Sequence, residues 1–435
     1  MQEKTLFFKP IGNPNRKYRQ DHFIISSCVA FIESFKDERS DLKECTRLIK
    51  ETGCNLAEFI WADPDETMRC IDACEEAGID GVFQKWDAFG GFQARKGIME
   101  LNREATSEFM AHCLAKKHFY GYYVWDEPQS EASVSAAAKQ LNEMEKMDPD
   151  HLLFTVAIPS YNEDDTWENG RFESYLRRYA ETIDPPVLSL DYYPFSSKRP
   201  DPEDQLDDKP LFLDIALLRK LSIERKTPMW FYIQTLDQPA HSVYRRFLPE
   251  KMTMQAFNVI LHGGKAVQYY CTVDGAVYSD GRPGPLFFEM KKLNRTLESW
   301  GRTLMALQSE GVYHSPEVLR GNPAFDEYRE PLSESRILSD RPLPFRASVG
   351  EFSDKEGNRY LIILNRDYLE RRRFSLRLKN PFRIYEVDKE TGLQRLRNRK
   401  TTRLELDLKP GDAVLLRFQD ASEEPCLLRY ELKRK

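Results

Sequence analysis

Residues 119–128 read FYGYYVWDEP. The run is aromatic and apolar until it stops on two acids and a proline, as a buried strand stops at the edge of its sheet. Working outward, seven further runs of this kind lie between about residues 20 and 308. They are HFIISSCVAF (22–31), CNLAEFIW (54–61), GIDGVFQKW (78–86), LLFTVAIP (152–159), VLSLDYYPF (187–195), MWFYIQTL (229–236) and KAVQYYC (265–271). Each is near-continuously apolar, the pattern of a strand covered on both faces of a parallel sheet.

Helix-like stretches separate the runs. DLKECTRLIKETG (41–53) opens on Ser40 or Asp41 as N-cap and closes on Gly53. DETMRCIDACEEAG (65–78) closes on Gly78, and PEKMTMQAFNVILHGG (249–264) starts on Pro249 and ends on Gly263. SEASVSAAAKQLNEMEKMD (130–148) is rich in helix formers, with Ser130 as N-cap. Eight β–α units predict an α/β chain folded as a TIM (β/α)8 barrel. A doubly wound open sheet would want a glycine-rich phosphate turn after its first strand, and SSCVAFIES (26–34) is none.

After Gln308 the character changes. Residues 309–345 read as a proline-punctuated loop. Then come short alternating runs: FRASVGEF (345–352), RYLIILNR (359–366), RRRFSLRLK (371–379), RIYEVD (383–388), TRLELDL (402–408) and AVLLRF (413–418). These predict a small antiparallel β-sandwich. The expected division is a barrel over 1–310 and a linker plus sandwich over 311–435.

The 435 residues carry 64 Lys and Arg against 70 Asp and Glu, a net charge of −6. Residues 341–435 hold 23 basic and 15 acidic groups, so an acidic barrel is paired with a basic sandwich. The acidic balance argues against a phosphate-tracking nucleic-acid binder. No stretch approaches the roughly 18–20 apolar residues that span a bilayer. MQEKTLFFKPIGNPN (1–15) lacks the apolar core of a secretory signal, so the chain reads as soluble; a removed signal would leave the same sequence and the compartment open. Oligomeric state is likewise open. Cys45, Cys70, Cys74 and Cys113 fall on helical patterns without paired CxxC knuckles, which favours buried helix-face residues over a metal site.

Barrel chemistry gathers at the C-terminal ends of the strands. Those ends offer Glu58 and Trp61, then Lys85, Trp86 and Asp87, then Trp125, Asp126 and Glu127. Later strands offer Asp191 and Tyr193, then Gln234, then Tyr269 and Tyr270. A mouth of acids and aromatic rings suits a carbohydrate: rings stack on pyranose C–H faces and carboxyls accept hydroxyl hydrogen bonds. Two carboxyls can also cleave a glycosidic bond. Neither a metal nor another cofactor is required.

WDEP (125–128) resembles the end of strand 4 in clan A (β/α)8 glycoside hydrolases, where Asn-Glu-Pro carries the general acid/base. The resemblance implies that Glu127 is the acid, with Asp126 in the Asn place. LKPGDAVLLRF (408–418) resembles the small β domain that often follows such barrels. Clan A enzymes end strand 7 on a nucleophilic Glu, whereas this chain has Gln234 in WFYIQTL (230–236). Asp191 is the best substitute carboxylate, ahead of Glu58 and Asp87. The adjacent acids also resemble N-acetylhexosaminidase families that use no protein nucleophile. There the substrate's 2-acetamido group attacks, an Asp such as Asp126 orients it, and a Tyr such as Tyr193 or Tyr270 steadies it.

The expected activity is therefore O-glycosyl hydrolysis, with Glu127, Asp126 and Asp191 catalytic. Trp86, Lys85, Trp125, Tyr193, Gln234, Tyr270 and Glu58 are expected to contact sugar. A non-catalytic carbohydrate-binding barrel is the alternative. A Schiff-base lyase through Lys85 or Lys265 is a weaker one, because no phosphate-gripping glycine turn follows strand 7 or 8. Sugar and linkage depend on loops 161–172, 195–208 and 236–247, whose Lys198, Arg199, Arg245 and Arg246 would suit an acidic sugar.

Overall fold

A computed structural model describes residues 2–29, 40–60, 62, 64–92, 96–160, 172–195, 209–236, 247–270, 272–273, 275–316 and 331–433. Trp61, the three loops named above except for a few edge residues, and their four cations lie outside the described residues. The first half of the chain forms β1 (Gln2–Phe8), β2 (Ile24–Val29), α1 (Leu42–Glu51), β3 (Leu56–Phe59), α2 (Pro64–Ala77), β4 (Asp80–Phe83), the short β5 (Gly91–Phe92) and β6 (Lys96–Gly97), and α3 (Arg103–Leu114). Then follow β7 (Phe119–Asp126), α4 (Glu131–Met147), β8 (Leu152–Val156), α5 (Phe172–Thr182), β9 (Leu188–Asp191), α6 (Lys209–Arg225), β10 (Met229–Gln234), α7 (Pro249–Leu261), β11 (Ala266–Tyr270) and α8 (Phe287–Ala306).

β2, β3, β4, β7, β8, β9, β10 and β11 are successive parallel neighbours, and β11 returns to β2. The seam between β8 and β9 is joined by the Ala157–Leu190 bridge, where the Ala157 N–H donates to Ser189 O at 2.9 Å. This is the expected TIM barrel. Asp41 caps α1 by accepting from the Glu44 N–H, and Gly53 ends it at φ +91°, a conformation only glycine adopts freely. Ser130 caps α4, which leaves Asp126 free of that duty. Cys45, Cys70, Cys74 and Cys113 are buried against the helix–sheet core.

Residues alternate across each strand, so one set fills the barrel and the other packs against the helices. Ile24, Leu56, Val82, Tyr123, Phe154, Trp230 and Ala266 share the inner cluster. The bottom of the barrel is closed by Gln20, which accepts from Trp230 Nε1 and donates to the Lys265 and His22 carbonyls. No helix among the described residues is long and apolar enough to cross a membrane.

The C-terminal part is antiparallel and β-rich: β12 (Gln308–His314), β13 (Ala347–Ser353), β14 (Arg359–Asn365), β15 (Arg372–Val387), β16 (Gln394–Leu408), β17 (Ala413–Asp420) and β18 (Cys426–Leu432). Six of them pair in the order β12-β13-β14-β17-β15-β16. Bulged registers let the long β15–β16 ribbon fold back, so that Phe374, Leu376 and Leu404 share a core with Val349, Leu361 and Leu416. β14 is buried on both faces: Leu361 and Ile363 face that core, while Ile362 and Leu364 join the barrel's core. Two details depart from expectation. Part of the anticipated 309–345 loop is β12, and β1 pairs in parallel with β18, two segments from opposite ends of the chain.

Candidate active site

β7 is the strand that builds the site. Its register against β8 slips between Tyr123 and Trp125, leaving Val124 as an extra residue. Such a bulge reverses the inward–outward alternation beyond it. Tyr123 therefore points into the barrel, Val124 and Trp125 both join the outer core, and Asp126 turns inward. Its carboxyl, 5% exposed, accepts from the Tyr123 hydroxyl at 3.0 Å. Glu127 follows at φ +47°, a left-handed conformation that costs a non-glycine residue about 1–3 kcal/mol and is concentrated at functional sites. Its N–H donates to Val156 O at 3.1 Å, which ties the strained turn to β8.

The end of β9 meets this turn. Asp191 lies close to Asp126, Glu127 and Tyr193, whose side chains all act on its carboxyl. Burial and the neighbouring charge of Asp126 push its carboxyl up to about 7. Its Oδ1 is buried without a hydrogen-bond partner among the described residues. The Tyr193 and Tyr270 rings stack with centroids 4.6 Å apart and planes 23° apart. The Tyr175 hydroxyl of α5, which the sequence did not single out, donates to Pro128 O and accepts from the Ile158 N–H. That phenol holds the chain just past Glu127 in place. Asp126, Glu127, Asp191, Tyr193 and Tyr270 thus converge on one end of the barrel.

Other expected site residues are placed elsewhere. Trp125 is fully buried in the outer core, where its indole packs so tightly on Gly91 that a Cβ there would sit 2.5 Å from the ring. The bulge is the reason: without it Trp125 would face inward. Gln234 is fully buried, and its amide clasps the Phe195 backbone, accepting from the N–H at 2.7 Å and donating to the carbonyl at 2.9 Å. It donates to Leu236 O as well, so it positions the segment after Asp191 instead of facing a ligand. Phe195 is packed in turn against Tyr368 of the β-rich part, ring centroids 5.5 Å apart.

Glu58 sits one layer below the mouth, because Ile60 is the inward residue above it. It is 1% exposed and accepts from Ser26, from Tyr232 and, at 2.8 Å, from Gln268 Nε2. Lys85 is half-buried and forms an ion pair with Asp87 at 2.7 Å. Trp86 is half-buried, with Nε1 lacking a partner among the described residues. Lys265 lies at the opposite end of the barrel, donating to Leu304 O and Leu307 O, so it cannot share the mouth.

No protein-family model and no curated protein matches the chain. Among solved structures it is similar to a GH42 beta-galactosidase from G. stearothermophilus, at a TM-score of 0.61 and 9% identity over 94% of this chain and 99% of that one. It is also similar to a beta-galactosidase from a Rahnella species, at a TM-score of 0.55 and 8% identity over 95% and 100% of the two chains. A family 51 alpha-L-arabinofuranosidase from Bifidobacterium longum aligns at a TM-score of 0.50 and 8% identity over 94% and 97%. At these identities the likeness is one of fold, a barrel followed by a β-rich domain.

Proposed function

We propose that the protein is a glycoside hydrolase that uses Glu127 as general acid/base and acts on sugars bearing a 2-acetamido group. The observation that carries the reading is the convergence of Asp126, Glu127 and Asp191 with the Tyr193–Tyr270 stack at the strand ends. That the fold is shared with several glycosidases supports it. Residues 1–310 would carry the chemistry and residues 311–435 would support it.

Substrate assistance accounts best for the geometry. Carboxyls flanking a scissile bond stand about 5–5.5 Å apart for retention and about 6.5–9.5 Å for inversion. Asp191 lies close enough to Asp126 and Glu127 for both to act on its carboxyl, which argues against a pyranose between it and Glu127. Gln234 is an amide committed to Phe195, so it supplies no nucleophile either. In the proposed step the acetamido carbonyl oxygen bonds to the anomeric carbon, and the bond to the leaving oxygen breaks as Glu127 gives that oxygen its proton. Asp126 accepts from the acetamido N–H and stabilises the positive ring that forms. Water then adds at the anomeric carbon, Glu127 takes its proton, and the acetamido group is restored.

The test compares Glu127→Gln with wild type on aryl glycosides and oligosaccharides, with and without 2-acetamido groups. We expect turnover of the acetamido substrates and a loss of about 10²–10⁴ in kcat in the variant. Near-full activity of Glu127→Gln would overturn the assignment. Glycan binding without turnover in wild type would favour the non-catalytic barrel.

A further inference from the structure

We propose that a hollow on the C-terminal β-rich part, lined by Arg341, Arg377 and Arg403, binds the carboxylate or sulfate groups of an acidic polysaccharide. That a polysaccharide carries the anion rests on the hydrolase reading above; the anion site itself does not. The hollow measures about 240 Å³ and has two walls. The chain ahead of β13 forms one: Leu338 bridges Leu378 of β15, and the Ser339 N–H donates to Arg377 O at 2.9 Å. The outward face of β15 and β16 forms the other, with Ser375, Arg377 and Arg403.

Charge balance gives the argument. Arg377 and Arg403 are directly opposite one another in the β15–β16 register. Like charges so placed destabilise a sheet, and Arg341 brings a third guanidinium to the same hollow. Among the described residues one acid answers them. Glu405 pairs with Arg403 and accepts from Ser375 Oγ at 3.1 Å, while Arg403 Nε donates to Ser375 Oγ at 2.8 Å. Arg341 and Arg377 form no ion pair among the described residues, and the exposed Asp340 beside them forms none either. Ser339 Oγ, buried in the wall, has no hydrogen-bond partner among the described residues.

An oxyanion supplies what this arrangement lacks. Two unengaged guanidiniums offer forked N–H pairs that match the oxygens of a carboxylate or sulfate, and a hydroxyl adds a further donor. Edge protection explains less. β16 ends its sheet, and charges along such a strand discourage pairing with other chains. Arg395 and Arg397 meet that need while paired with Asp388 and Glu386. It does not call for like charges facing each other across a concave surface. The arginines are exposed, so water would compete well for a lone ion, whereas a polymer that repeats the charge gains from several attachments. Farther along the same face Arg371 and Arg373 share Asp407, which extends the basic row. Residues 341–435 carry 23 basic and 15 acidic groups in a protein of net charge −6, so a polyanion is drawn to this part and repelled by the barrel.

Calorimetric titration of the whole protein with carboxymethyl dextran, dextran sulfate, neutral dextran and sodium sulfate tests the site. We expect at least one charged polymer to bind, more weakly as salt rises, and neutral dextran not to bind. The polymer that binds tighter names the anion. Arg341→Ala and Arg377→Glu should each weaken that binding about tenfold or more, and Arg395→Ala, on the same sheet outside the hollow, less than about twofold. Arg377→Glu sets an acid opposite Arg403, so its urea midpoint should hold or rise. A lower midpoint, equal losses from Arg377→Glu and Arg395→Ala, or no binding of either charged polymer would overturn the proposal. So would inorganic sulfate binding as tightly as the polymers, which would put a free ion in the site. Turnover of a small uncharged aryl glycoside should be unchanged in Arg377→Glu. Failure of the hydrolase reading looks different: wild type turns over no glycoside, while the titrations still decide the anion site.

Discussion

Glu58 and Asp191 stand one layer apart in the same barrel, both nearly out of reach of water, and burial pushes both carboxyls up. Their neighbours are opposite in kind. Glu58 is met by a serine, an amide and a phenol, all of which donate to it. Asp191 faces two other acids, and one of its oxygens has no hydrogen-bond partner among the described residues. A buried acid ringed by donors helps to hold the barrel shut. A buried acid crowded by its own kind is held there by the rest of the fold, at a cost in stability that a bound ligand can offset.

The largest expected effect separates the two. Glu58→Ala strands three donors, and at about 1–3 kcal/mol for each unsatisfied group it should lower stability by roughly 3 kcal/mol or more. Urea denaturation measures this, and a change under about 1 kcal/mol would erase the distinction. Asp191→Asn should do the reverse above neutral pH. The folded carboxyl titrates at about 7 against an ordinary value of 3.8. Below about pH 4 the proton is bound in both states. Between about pH 4 and 7 the unfolded chain has released it and the folded chain has not. Stability therefore falls as pH rises, by up to about 1.4 kcal/mol per unit, and levels off above about pH 7. Asp191→Asn should flatten that slope in a pH series of denaturation midpoints; an unchanged slope would remove the claim that Asp191 is destabilised by its site.

A smaller change probes the seam between the layers. Gln234→Glu puts a carboxylate at the end of β10, but a carboxylate cannot donate to Phe195 O or Leu236 O as the amide does. We expect a loss of about 1–3 kcal/mol and no gain in turnover; a rise in activity would show that the clasp is dispensable. Ser130→Ala, outside both layers, should cost only about 1 kcal/mol through the lost cap of α4. A comparable loss from Ser130→Ala and Glu58→Ala would mean that the barrel interior is no more demanding than its surface.

The barrel was legible because its strands are long apolar runs with capped helices between them. That pattern is local, and period counting reads it. The acids after β7 and β9 were legible for the same reason, since a strand that ends on polar residues marks the rim. What escaped depends on contacts between distant strands. One extra residue in β7 sends Trp125 outward and Asp126 inward, and a count of alternating positions along one strand cannot register a bulge defined by its partner. Gln234 looked like a rim residue, yet its amide matches a backbone 39 positions away. Tyr123 and Tyr232 lie mid-strand, where only the folded layer shows that their hydroxyls reach Asp126 and Glu58. Tyr175 lies on a helix, where no rim rule looks. The strand at 308–314 carries few apolar residues, for only Val312 and Tyr313 offer packing surface there.

The pairing of β1 with β18 has a consequence for how the molecule is made. Gln2 lies opposite Cys426 and Phe8 opposite Leu432, so this parallel ribbon joins a strand synthesised before the other described elements to one synthesised after them. β1 must wait, its edge open, while the barrel and the second sheet form. Loop closure over such a separation is slow, and an unpaired edge strand invites other chains meanwhile. The ribbon works as a late clasp, and a chain stalled short of β18 would carry its first strand exposed.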